Sequence, residues 1–155
     1  MRDPRPLLEP LLALHDAVRD ELLVATERQR LDELALVRRE EEGDTIYAID
    51  VVSEHIVQRF AEQLARQHSF VLIAEGLPGG LRVFPQGADE ATATWRIIVD
   101  PIDGTRGIMY DKRPAFILAA LAPQRGARTE LRDIVVAAMT ELPTSKQDRA
   151  VVVVI

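Results

Sequence analysis

The sequence predicts an α+β fold on three observations: apolar residues at helical spacing in two stretches of the first half, short β-type apolar runs through the second half, and glycine- and proline-bearing turns between them. In residues 7–39, Leu7, Leu11, Leu14, Val18, Leu22, Leu31 and Leu34 recur mostly three or four apart. That spacing puts them on one face of an amphipathic helix, or of two helices meeting at the polar stretch 25–30. Glu40, Glu41, Glu42, Gly43 and Asp44 interrupt the pattern and read as a solvated loop, with Asp44 as the one candidate for more. A second helix is expected after Asp50, with Val51, Val52, Ile56, Phe60 and Leu64 on its apolar side and Ser53, Glu54, Gln58, Arg59 and Glu62 opposite. Asp50 occupies the position of its N-cap.

Residues 70–74 then read as a short buried strand, halted at Glu75 by Gly76, Pro78, Gly79 and Gly80. Residues 81–94 are polar and read as irregular. A second strand over 95–99 ends at Asp100, because Pro101 cannot donate to an interior ladder. Residues 116–121 and 134–139 are further strand candidates. The chain closes on Ala150, Val151, Val152, Val153, Val154 and Ile155, an apolar β-branched run that needs a pairing partner and suggests a chain cut inside a larger fold.

At 155 residues with 47% hydrophobic content, a single domain over residues 1–155 is expected. The net charge of −6 gives no general attraction to nucleic acid or to anionic membrane surfaces. With no cysteine, thiolate metal sites, disulfides and cysteine nucleophiles are excluded, and a cytoplasmic location is the default expectation. No window approaches the roughly 20 apolar residues of a bilayer span.

The chemistry concentrates in Asp100-Pro101-Ile102-Asp103-Gly104-Thr105. Two carboxylates stand three residues apart on a turn that leaves a strand and enters a short helix. Proline stiffens the turn, glycine removes the side chain that would block a ligand, and N–H groups at a helix start receive phosphate oxygens. Asp100, Asp103 and Glu75 would repel a phosphate ester unless a hard divalent cation stood between them, and Mg2+ suits such oxygen donors. Two ions a few ångströms apart would serve both the attacking and the leaving oxygen, so hydrolysis needs no protein nucleophile.

The stretch Trp95-Arg96-Ile97-Ile98-Val99-Asp100-Pro101-Ile102-Asp103-Gly104-Thr105 resembles the signature of the inositol monophosphatase-like, lithium-sensitive sugar phosphatases. Upstream, the segment from Gly43 to Asp50 and the run Ile73-Ala74-Glu75-Gly76 are similar to two further family segments, in the same order. The resemblance covers residues 7–143, the first half of that family's fold. It implies a layered α+β fold with N-terminal helices packed on a mainly antiparallel sheet, the second domain being absent. It implies that Glu75, Asp100, Asp103 and the Ile102 carbonyl hold Mg2+, with Asp50 serving a further, weaker ion. Thr105 and Glu75 would then orient the attacking water, and the Gly104 and Thr105 N–H groups would hold phosphate. The implied activity is hydrolysis of a small phosphorylated polyol or sugar, and the implied assembly is a homodimer.

The chain departs from the family pattern at Gly76, where a second acidic residue is common, and after Thr105, where Arg106-Gly107-Ile108-Met109-Tyr110 replaces an aromatic-containing stretch. Arg106 is either a contact to a second anionic group of the substrate or a surface ion-pair partner. The family's later metal-binding aspartate has no counterpart here. A second function class therefore stays open, a non-catalytic metal- or phosphate-binding module that interacts through its terminal strand. His15, His55 and His68 are unrelated in position and read as structural or exposed. Ser53 and His55, two apart on a helix, do not face each other and exclude a serine hydrolase.

Overall fold

The computed structural model describes residues 3–28, 36–41, 44–109 and 114–142. Helix α1 (Arg5–Arg28) is the first apolar pattern realised, since Leu7, Leu11, Leu14, Val18 and Leu22 are all buried. Leu31 and Leu34 lie outside the described residues, as does the terminal run 150–155. The helix does not reach residue 39. Val37–Glu41 is instead strand β1, paired antiparallel with β2 (Asp44–Tyr47), so Glu40, Glu41 and Asp44 of the expected loop lie in paired strands. The Asp44 side chain falls outside the described residues.

Helix α2 (Ala48–Leu64) follows at once. Tyr47 is its N-cap and Asp50 its third residue, which corrects the N-cap expectation. Asp50 still satisfies the helix start, because Oδ2 accepts the Tyr47 N–H at 2.8 Å. The buried face is also turned from the expected one. Ile49, Ser53, Ile56, Val57, Ala61 and Leu64 point inward, while Val51, Val52 and Phe60 are half-buried. Ser53 tolerates burial because its hydroxyl donates to the Asp50 carbonyl at 2.8 Å.

The main sheet has the order β4 (Leu81–Phe84), β3 (Phe70–Ala74), β5 (Trp95–Asp103), β6 (Ala115–Pro123), β7 (Val136–Leu142). Only β3 and β5 run parallel, and the other three pairings are antiparallel. Strand β4 falls within the stretch read as irregular. Its Leu-Arg-Val-Phe is too short and mixed to declare itself, and pairing with β3 decides its state. Both long helices cover one sheet face, and the core there joins Leu11, Val18, Ile56 and Leu64 to Phe70, Leu72, Ile97, Ile117 and Leu121. The Phe70 and Phe84 rings stack within it, 5.2 Å between centroids. On the other face, Ile98, Leu118, Ala120, Ala137 and Met139 are half-buried.

One polar contact crosses this core. His15 is buried, and its Nδ1 lies 2.9 Å from Thr140 Oγ1 on β7. Burial pushes its pKa from 6.5 down to about 4, which keeps the ring neutral at ordinary pH. The histidine is structural, as expected. No described helix is long and apolar enough to cross a membrane.

Candidate active site

Strand β5 does not stop at Asp100. Its partner β3 ends where Ala74 meets Val99, so beyond that point β5 is paired, among the described residues, with β6 alone. Proline is tolerated there because no neighbour asks for its N–H. Asp100 pairs with Leu118 and Asp103 with Phe116, leaving Pro101 and Ile102 opposite the single residue Ile117. This is a β-bulge, and it decides where the carboxylates go. Residues three apart on a regular strand face opposite sides, whereas Leu118 and Phe116 share a side. The extra residue therefore turns Asp100 and Asp103 to the same face of the sheet.

The electrostatics agree with that placement. The Asp100 carboxyl is raised above its ordinary value, first by burial, then by the charge of Asp103 and by that of Asp50; the Ile102 N–H, 3.2 Å from Oδ1, works against the rise. Helix α2 thus contributes Asp50 to the same neighbourhood as the two aspartates of β5. After Asp103, Gly104 has φ +93, a backbone state that any side chain would resist, and the chain turns into the short helix α3 (Thr105–Met109). The Gly107 N–H closes this turn on the Gly104 carbonyl at 2.7 Å. Thr105 Oγ1 then reaches back, 2.8 Å from Asp50 Oδ1 and 3.1 Å from the Ile102 carbonyl. Asp50 is held from both sides, by the Tyr47 N–H on one oxygen and Thr105 on the other.

Glu75 leaves the end of β3 at the second position of a turn that the Leu77 N–H closes on the Ala74 carbonyl at 3.4 Å. Gly76, third in that turn, has φ +79, as a type II turn demands. Glu75 and Asp103 are exposed, Asp50, Asp100 and Thr105 are half-buried, and Arg106 is exposed on α3. Strand ends, bulge and helix start thus bring Asp50, Asp100, Ile102, Asp103 and Thr105 to one end of the sheet.

Among the described residues, no three Asp, Glu or His side chains already stand together in a set that could hold a metal ion. The chemistry of the donors nevertheless fits a hard divalent cation. They are all oxygen, three of them are carboxylates whose charges oppose one another at Asp100, and the exposed Glu75 and Asp103 can turn about their side-chain torsions without disturbing the core. A cation would offset the carboxylate repulsion that adds to burial in raising Asp100.

Sequence reasoning placed Glu54 on the solvent side of α2 and missed its position. A β-carbon added at Gly76 would run into Cγ, Cδ and Oε1 of Glu54, so that side chain lies over the turn carrying Glu75. Its spacing of four from Asp50 was the available signal.

No family model and no curated protein matches the chain. Solved structures do. The extragenic suppressor protein suhB from Bartonella henselae aligns over 87% of this chain and 45% of its own, with 16% identity and a TM-score of 0.62. The fructose-1,6-bisphosphatase of Leishmania major in holo form aligns over 88% of this chain and 43% of its own, with 14% identity and a TM-score of 0.64. At such identities the likeness establishes a shared α+β fold. The chain spans less than half the length of either structure.

Proposed function

We propose that this chain carries the metal- and phosphate-binding part of a Mg2+-dependent phosphomonoesterase acting on a small phosphorylated polyol or sugar. The observation that carries the reading is the convergence of Asp50, Asp100, Asp103 and Thr105 at the end of β5, where burial first and then the charges of Asp103 and Asp50 raise the Asp100 carboxyl. Isolated surface aspartates have no reason to be brought together in this way, since each addition costs repulsion. The fold shared with a fructose-1,6-bisphosphatase is consistent with phosphate-ester chemistry.

In this reading Glu75, Asp100, Asp103 and the Ile102 carbonyl hold Mg2+, and Asp50 serves a weaker ion. When bound, Mg2+ supplies charge neutralisation and polarisation of the phosphoryl group. The chain's own residues supply position. Thr105 donates its hydroxyl hydrogen bond to Asp50, leaving its oxygen lone pairs to accept a hydrogen bond from water; Asp50 stands ready to receive a proton through that hydroxyl. Glu75 orients the same water from the neighbouring end of β3. The Gly104 and Thr105 N–H groups receive phosphate oxygens, and Arg106 takes a second anionic group of the substrate. The exposure of Arg106, outside the half-buried cluster, suits a contact to the part of the substrate that does not react.

A second reading rests on the exposure of Glu75 and Asp103, which leaves part of the donor set open to solvent. In it the chain binds Mg2+ and phosphate without turnover. Phosphate release from a panel of sugar and polyol phosphates, followed with calorimetric Mg2+ titration, separates the two. Mg2+-dependent release that collapses in Asp103→Asn supports the enzyme, binding without release supports the module, and a chain that takes up neither Mg2+ nor phosphate sinks both.

A further inference from the structure

Glu54 lies one helical turn beyond Asp50 on α2, so the two carboxylates project from one face of that helix. Asp50 meets Thr105 at the end of β5, and Glu54 meets the turn at the end of β3. Pro78, Gly79 and Gly80 just beyond that turn are exposed, Gly76, Gly79 and Gly80 all have positive φ, and Ala74 and Leu77 tie the turn to the core. On the Glu75 side, the Glu54 side chain rests on Gly76 where any β-carbon would otherwise sit.

We infer that Glu54 is a positioning residue for Glu75, clamping the Ala74 to Leu77 turn onto α2, and that Gly76 is the seat that admits it. The helix end of the clamp is rigid, because Ile56, Val57 and Leu64 anchor α2 in the core. The turn end is mobile by composition, since a glycine-rich segment loses much backbone freedom when ordered. Contact of Cγ and Cδ at Gly76 fixes the corner on which Glu75 sits, and so limits where its side chain can start from relative to Asp50. Glu54→Gln keeps the atoms that rest on Gly76, and Glu54→Ala removes them. Its consequence for Mg2+ rests on the proposed function; the clamp itself is a property of the metal-free chain.

The test uses the full chain with Glu54→Ala, Glu54→Gln and Gly76→Ala. In metal-free protein, hydrogen exchange at the Leu77 amide, which closes the turn, should quicken about tenfold in Glu54→Ala and stay near wild type in Glu54→Gln. Gly76→Ala both displaces the Glu54 side chain and strains the positive-φ turn, so exchange at Leu77 should quicken at least as much as in Glu54→Ala. Calorimetric Mg2+ binding should weaken about tenfold in Glu54→Ala and remain in Glu54→Gln. Unchanged exchange in Glu54→Ala overturns the inference, as does a loss in Glu54→Gln equal to that in Glu54→Ala. Faster exchange spread through β3 and β5 also overturns it, being general loosening. A wild-type chain that binds no Mg2+ sinks the functional reading instead, and leaves the exchange result to judge the clamp.

Discussion

Thr105 donates its hydroxyl to Asp50 across 2.8 Å, linking the first turn of α3 to the first turn of α2 over a separation of 55 residues. Asp50 cannot rotate away without breaking a second bond, from the Tyr47 N–H to its other oxygen. A carboxylate pinned at both oxygens has a defined orientation before any ligand arrives, which is the preorganisation a proton acceptor needs.

Replacing Thr105 by valine keeps the shape and deletes the donor. Phosphate release should fall by about 10²–10⁴-fold, the usual worth of a positioned acid–base group, with serine restoring most of it. Stability should drop by only about 1 kcal/mol, because Asp50 retains its backbone donor and is half-buried. Steady-state kinetics beside thermal melts check both.

Asp100 should show the opposite balance. Its carboxyl is raised, so the folded chain holds that proton more tightly than the unfolded chain does. Above the raised value, ionised Asp100 works against folding, and this penalty is relieved as pH falls through it. Asp100→Asn should therefore stabilise the metal-free protein near neutral pH by on the order of 1 kcal/mol, or about 2–4 °C in Tm, while Mg2+ binding weakens. A melt that falls instead in the absence of metal would refute the repulsion.

His15 sets a pH dependence of the other sign. Its pKa is held near 4 in the fold and is 6.5 when unperturbed. Its neutral form is favoured by folding, so its contribution is complete above about 6.5 and is lost progressively as pH falls towards 4. The loss across that window is on the order of 3 kcal/mol. Urea melts from pH 7 to pH 4 should steepen in wild type and flatten in His15→Leu, after allowance for the lost bond to Thr140.

The central strand should be the least forgiving. Ile97 is fully buried between the β3 and β6 pairings, and Ile97→Ala should cost about 2–5 kcal/mol. Leu131, 79% exposed, should tolerate alanine within about 0.5 kcal/mol. Chemical denaturation of the two variants side by side provides the comparison.

Much of the fold could be read from residue order. The five leucines and valines of α1 and the apolar runs of β3, β5, β6 and β7 carry their periods openly, because each presents a face to one shared core. Strands β1 and β4 could not be read. Val37-Arg-Arg-Glu-Glu and Leu-Arg-Val-Phe become strands only by pairing with neighbours, and pairing is a long-range property. The rotated face of α2 has a similar origin, since Ser53 is admitted to the core by a bond to its own helix backbone.

By itself the sequence nominated Asp50, Glu75, Asp100, Ile102, Asp103, Gly104, Thr105 and Arg106 as candidates for hard-oxygen and phosphate chemistry, partly through residue type and spacing and partly through family resemblance. Only the tertiary structure decided how they meet. One residue of bulge turns Asp103 to the side of Asp100, the Thr105 hydroxyl finds Asp50, and Glu54 crosses to Gly76. The reason is physical: a side chain's direction depends on register and packing between elements distant in the chain, and local spacing carries no record of either.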